Sequence, residues 1–425
     1  MRKILTVALT GFCLASMGLL QGCIKDTVQR TYTYTYYKPV YKTTAEVRAN
    51  IKSNAPRPVE RPGKIYLYGP YIFLNEIDKG IHIINNANPA SPQAIAFIDI
   101  PGNMDLAVKE NILYADLYTD LIAIDISNPQ NVILKKVVED VFPHRYWNNI
   151  FVPDSTLIVA SWEKRDTTIV EKSRVDRWLK SDSEVFFLEF DSRSQSYAAA
   201  PNASVAPYGV GGSMARFTIA SDRLYTVGNS DLDVFDIVNP ANPVNTARKH
   251  LGWNIETIYP FMDKLFIGSQ TGMYVYSINN PNNPIQTGQF HHVRSCDPVI
   301  ADNQYAYVTL RSGTACQGFT NELDILSLSN FSNPSLLKVY NLTNPHGLSK
   351  DGTTLFLCDG QAGLKIYNAA DVMNLQLLRQ IEGIETYDVI ALKGRALVVA
   401  KDGLYQYDYS NLSNIRLLSK ITVLK

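Results

Sequence analysis

The chain repeats itself about every 40 residues, and this period constrains the fold more than any other feature. One unit reads Asp105-Leu-Ala-Val, Ile112-Leu-Tyr-Ala-Asp116, Leu121-Ile-Ala-Ile-Asp-Ile-Ser-Asn-Pro129 and Val132-Ile-Leu-Lys-Lys-Val-Val138. Each piece has the length and β-branched content of a short strand. The unit recurs as Arg223-Leu-Tyr-Thr-Val with Leu232-Asp-Val-Phe-Asp-Ile-Val-Asn-Pro240, and as Lys264-Leu-Phe-Ile-Gly with Met273-Tyr-Val-Tyr-Ser-Ile-Asn-Asn-Pro281. Aligned on the Asn-Pro step, equivalent positions fall at Asn88, Asn128, Arg193, Asn239, Asn280, Asn330, Ala370 and Asn411.

Four short strands with alternating apolar positions form a small antiparallel sheet that leaves both faces wet. Stacking such sheets around an axis buries both faces and exposes only short edges. Four-stranded repeats of this length are the signature of that arrangement. The expected fold is therefore all-β: a β-propeller of four-stranded antiparallel blades. The alignment gives eight blades, or seven if the irregular third unit around Arg193 is an elaborated loop. The Asn-Pro step belongs between third and fourth strands, where Asn tolerates turn geometry and Pro removes a ladder donor.

Val-Phe-Asp-Ile-Val-Asn-Pro-Ala-Asn-Pro and Ala-Ile-Asp-Ile-Ser-Asn-Pro resemble the LVIVD repeat, a propeller repeat of exported bacterial proteins. The resemblance extends over roughly residues 64–425. The segment Tyr-Lys-Pro-Val-Tyr-Lys-Thr before Pro-Gly-Lys-Ile-Tyr looks like uncharacterised Bacteroidetes lipoproteins that carry this repeat. No catalytic motif comes with it.

The ends agree with export. Met1-Arg2-Lys3 precedes an apolar run from Ile4 to Leu20, the form of a secretory signal,. Leu20-Gln21-Gly22-Cys23 resembles the lipobox of bacterial lipoproteins, which implies cleavage before Cys23, a diacylglycerol on its sulfur and an acyl chain on its new amine. The division is then a signal peptide over 1–22, a lipidated cysteine with a Tyr/Pro-rich tether over 23–62, and the propeller over 63–425. The expected location is the cell envelope, at the outer membrane, facing either the surface or the periplasm. Within the tether, Thr31 to Tyr37 alternates Thr and Tyr like a strand. Thr43 to Asn54 reads as a short helix, capped by Thr43 or Thr44 with Glu46 in its first turn. The Tyr run is either a plain spacer or packs on the propeller rim.

The chain has 40 basic and 40 acidic residues, and loss of residues 1–22 removes Arg2 and Lys3 and no acid, leaving a net charge of −2. A nucleic-acid binder would need a basic face, so that class is excluded. The partners expected are the bilayer, through Cys23, and a protein or glycan ligand. No cofactor beyond the acyl chains and no metal is expected, and the oligomeric state is open.

Loops leading into first strands and loops leaving second strands share one propeller face, where function lives on a rigid scaffold. This face collects Asp105, Asp116, His144, Arg145, Trp147, Trp162, Trp253, Arg294, Asp297, Arg311, His346 and Asp359 as the candidate binding surface. The reading is a binding or scaffolding module without catalysis. The alternative is an envelope hydrolase or lyase using His144, His346 and nearby acids, although no clustered ligand spacing or nucleophile elbow occurs. Gly209-Val-Gly-Gly-Ser213 leads to a strand and is not a phosphate loop. Cys296 leads into a first strand and Cys316 lies in the insert leaving the second strand of the same unit, so a Cys296–Cys316 disulfide is expected, with Cys358 the odd thiol and an alternative partner.

Overall fold

The computed structural model describes residues 27–142, 157–174, 209–292, 298–313 and 320–424. They divide into two compact units, one containing most of a long two-stranded ribbon and the other containing the blades.

The described blade residues form six four-stranded antiparallel sheets and one of six strands, blade one, whose four blade strands gain a short strand at each edge; in all seven the blade strands follow sequence order. Their first strands are Pro62–Tyr68, Leu106–Lys109, Phe217–Ala220, Ile255–Phe261, Val299–Ala301, Leu348–Asp351 and Thr386–Leu392, for blades one to seven. These strands neighbour one another in succession, and blade seven returns to blade one. The apolar residues explain the closure. Fully buried Ile83, Val108 and Phe235 belong to one cluster that joins blades one, two and three. Leu265 continues it from three to four, and Val308 and Leu355 from four to six. Val398 joins six to seven, and Ile72 with Val399 closes seven onto one. Both faces of each sheet are thus buried by its neighbours, as the propeller argument requires. The unit aligned on Arg193 lies outside the described residues. Among the described residues seven blades neighbour one another around the ring, and the sequence count of eight, with seven the alternative, fits these sheets.

The Asn-Pro step sits between third and fourth strands, as expected. At Asn128 the side chain accepts from Gln130 N at 3.1 Å and the carbonyl from Asn131 N at 2.8 Å. The same turn recurs at Asn88, Asn280, Asn330 and Asn411. In blade six it is built by Asp371, one residue after the aligned Ala370, because the turn needs a side-chain acceptor and Ala has none. A register shift follows between third and fourth strands, as at Val275/Tyr276 and Ile366/Tyr367. Such bulges add twist.

The residues before blade one also take regular structure. Helix α1, Thr44–Ala49, starts at a capping box of Thr43 and Glu46, so Thr43 is the cap. It stops short of Asn54 because Ser53–Asn54 adds a strand to the outer edge of blade one, against Phe97 and Ile98. Arg48 of α1 bonds Asp120 at 3.0 Å and Glu139 at 2.7 Å on blade two. Beyond blade seven, Leu424 N donates to Val59 O at 2.8 Å.

The ribbon pairs Thr27–Thr43 with Leu157–Arg174. The Tyr run therefore lies on a strand with a partner strand of its own. Among the described residues no helix is long and apolar enough to cross a membrane.

Candidate functional site

Counting back four residues from the end of each first strand reaches an equivalent position in six blades: Lys64, Asp105, Arg216, Thr257, Gly347 and Asp388. This position collects charge at the inner edge of the blades. Lys64 Nζ lies 2.9 Å from Asp105 Oδ2, and both side chains are buried. The same carboxylate oxygen accepts from the backbone amides of Arg216 and Phe217, the latter at 3.2 Å. One aspartate thereby ties blades one, two and three together.

Asp388 holds the same position in blade seven, which neighbours blade one, and is fully buried. The segment Gly209–Met214 runs beside it. Val210–Gly211 pairs with Leu67 and Tyr66 on the first strand of blade one, and Gly209 N donates to Val108 O at 3.2 Å. The segment therefore lies along the inner edges of blades one and two. Ser213 Oγ then donates to Asp388 Oδ1 at 3.1 Å and accepts from Leu348 N at 2.6 Å. Gly212 and Gly347 press against the carboxyl from two sides, and a Cβ on either would overlap it. Among the described residues Asp388 Oδ2 has no hydrogen-bond partner. Burial pushes this carboxyl up to about 8, against the pull of the Ser213 bonds and the Lys64 charge. At neutral pH it is mostly a neutral acid. Burial also pushes the nearby Cys358 thiol up, with the Asp388 charge adding to the effect.

The proposed face divides sharply in this geometry. Asp116 accepts from Met104 N at 3.0 Å and Asp105 N at 2.8 Å, so it latches the loop that leads into its own first strand. Asp359 does the same for blade six, through Thr343 N at 3.0 Å and Asn344 N at 2.7 Å, and pairs with Lys365 at 2.6 Å. Glu76 repeats the device in blade one with the amides of Glu60 and Arg61. Burial pushes Glu76 up, but its His82 bond at 3.0 Å and those amides outweigh it and hold the carboxyl below its ordinary range. Asp105, Asp116 and Asp359 thus hold the scaffold. His346 is buried with its ring 5.4 Å from Tyr387. Arg311 is half-buried at the exit of the second strand of blade five. Trp162 lies in the ribbon, not in a blade. Cys23, His144, Arg145, Trp147, Arg294, Cys296, Asp297 and Cys316 lie outside the described residues, and Cys358 is a buried free thiol.

Trp253 is different. It sits in the loop between blades three and four and is 70% exposed. Asn254 beside it is held in the left-handed region, with φ +60°. His250 stands edge-on to the indole at 6.3 Å and bonds Asp231 at 3.1 Å. Gln270 Nε2 donates to Glu256 at 2.9 Å, and Gln270 N to Asn254 O at 3.1 Å, fixing the base of the loop. A large apolar ring is thereby presented to solvent with charged and amide groups around it. Among the described residues no group of three His, Cys, Asp or Glu could hold a metal ion.

Seven antiparallel blades of four strands each, closed in a ring among the described residues, define a β-propeller. The family model of the LVIVD repeat matches residues 102–140 and 296–342, in blades two and five. Among solved structures, Sqt1 of Saccharomyces cerevisiae is similar in fold, with a TM-score of 0.50, 8% identity, and coverage of 88% of this chain and 89% of that one. A protein from Lactobacillus plantarum gives 0.49 at 11% identity, over 77% and 86%. BamB from Moraxella catarrhalis gives 0.46 at 9% identity, over 87% and 97%. No curated protein matches the sequence.

Proposed function

We propose that this chain is an envelope lipoprotein, anchored through Cys23 at the outer membrane, whose propeller holds a protein partner on the face that presents Trp253. The exposed indole carries the reading. Leaving so large an apolar ring in water forgoes burial of roughly 2–3 kcal/mol, and Trp is the residue most enriched where a few side chains dominate binding. Around it His250, Asp231, Glu256 and Gln270 supply the polar rim that surrounds such anchors,. A partner protein offers charges of both signs to match that rim.

The test is site-specific photocrosslinking in the producing cells. A benzophenone amino acid at position 253 is expected to give one discrete adduct with a single protein. The same probe at Leu417, exposed on the outer strand of blade seven, is expected to give none. The absence of any adduct at 253, or the same adduct from both positions, overturns the reading. Trp253-dependent retention on a polysaccharide column without a protein adduct would replace the protein by a glycan.

A further inference from the structure

The ribbon carries a feature the propeller does not use. Tyr32, Tyr34 and Tyr36 alternate with Thr33 and Thr35, so the three rings share one face of the strand,. The Thr33 hydroxyl bonds Thr168 and that of Thr35 donates to Asp166 at 2.6 Å. This pairing is antiparallel and places Ile169 across from Tyr32 and Arg165 across from Tyr36. The rings of Tyr32 and Tyr34 stack at 6.1 Å. From Tyr32 to Tyr37 the aromatic residues are between 36% and 61% exposed, and Ile169 is exposed as well. A two-stranded ribbon is marginal in water unless something covers its apolar face.

The position of this face in the chain indicates what covers it. Cys23 precedes Tyr32 by nine residues, a reach of at most about 31 Å for extended chain. Between residues 24 and 43 stand Lys25, Arg30, Lys38 and Lys42 against a single acid, Asp26. Tyrosine prefers the boundary between water and lipid, where the ring meets apolar chains and the hydroxyl stays wet. Basic side chains beside it are drawn to anionic headgroups. We propose that the Tyr32–Tyr34–Tyr36 face, with Ile169, lies on an anionic phospholipid surface and forms a second membrane contact besides the acyl chains. The proposal rests on the lipoprotein reading for the nearness of the bilayer. On that reading the acyl chains of Cys23 already hold the chain to the bilayer, and the tyrosine face would set how the ribbon lies on it.

The experiment uses the mature chain from residue 23 with Cys23→Ser, which carries no acyl group. It is sedimented with vesicles of phosphatidylcholine alone or with phosphatidylglycerol added. Binding is expected to rise with phosphatidylglycerol. The triple variant Tyr32→Ser/Tyr34→Ser/Tyr36→Ser is expected to lower the partition coefficient by about fivefold or more, with thermal unfolding of the propeller unchanged. In a separate Tyr34→Trp variant the added indole emission is expected to shift blue on vesicles and to be quenched by brominated lipid. The parent failing to sediment at any lipid concentration overturns the proposal. So does a triple variant that binds like the parent, or Tyr-dependent binding to peptidoglycan fragments with none to vesicles. The mass of the Cys23 peptide from cell membranes reports acylation separately, so a missing acyl chain sinks the anchor and leaves the vesicle result to be judged alone.

Discussion

Ser213 Oγ donates to Asp388 Oδ1 at 3.1 Å across 175 positions of sequence. The same hydroxyl accepts from Leu348 N at 2.6 Å. One serine therefore joins the segment beside blade one to the first strands of blades six and seven. The contact works because Gly212 and Gly347 leave the carboxyl room, and because that carboxyl has little charge to desolvate at neutral pH.

Stability should record that proton. In the unfolded chain Asp388 titrates near 3.8, and in the folded chain near 8. Between those values the native state holds a proton the unfolded state has released. Stability therefore falls as pH rises from about 4 to about 8, by roughly 1 kcal/mol per pH unit from this group, and levels off above. Asp388→Asn removes the titration. Denaturant unfolding at pH 5, 6, 7 and 8 should show the stability of the parent relative to the variant declining with pH. A constant difference would show that Asp388 ionises normally in the folded protein.

The Lys64–Asp105 pair makes the opposite kind of test. The two side chains are buried and joined at 2.9 Å across blades one and two. Removing one partner strands the other's charge, at a cost of about 3–5 kcal/mol. Lys64→Met is expected to destabilise by that amount, and Lys64→Met with Asp105→Asn by less than the sum of the two single changes. A double-mutant cycle in chemical denaturation measures the coupling. Additive effects would mean that the two side chains do not act as a pair.

The propeller was legible because each blade repeats its strand pattern and its turn chemistry. Where the turn chemistry drifted, as at Ala370 and Asp371, the alignment slipped by one residue. The inner ring was less legible for the same reason. Asp388 lies within the first strand of blade seven and not in the loop leading into it, so a reading of loop residues does not reach it. Asp105, Asp116 and Asp359 were found as polar residues at strand ends. Sequence could not tell that backbone amides from neighbouring loops occupy them. The glycine run before Ser213 was the available signal for the Asp388 contact. Its glycines mark close approach to a side chain, a use that leaves no motif.

The cysteines separate by environment. Cys358 is fully buried, and burial raises its thiol well above the ordinary value. It should react with maleimide only after unfolding, since the thiolate is the nucleophile. Cys296 and Cys316 are proposed to form a disulfide in the oxidising envelope. Peptide mapping without reductant should find Cys296 and Cys316 in one crosslinked peptide and Cys358 alone. A Cys358 crosslink to either would replace this pairing, and three free thiols would remove it.

Trp253 gives the cleanest separation of binding from folding. The indole is 70% exposed and its loop is fixed from below by Gln270, Asn254 and Glu256. Trp253→Ala should therefore change unfolding free energy by no more than about 0.5 kcal/mol, the usual range for surface positions. The same substitution should weaken partner binding by about 30-fold or more, the loss expected of a residue worth at least 2 kcal/mol at an interface. Gln270→Ala, which loosens the loop but keeps the ring, should fall between the two in affinity. Equilibrium unfolding and titration with the crosslinked partner read the two effects independently. If Trp253→Ala lowers stability as much as affinity, the ring packs within the fold and the binding surface lies elsewhere on the propeller.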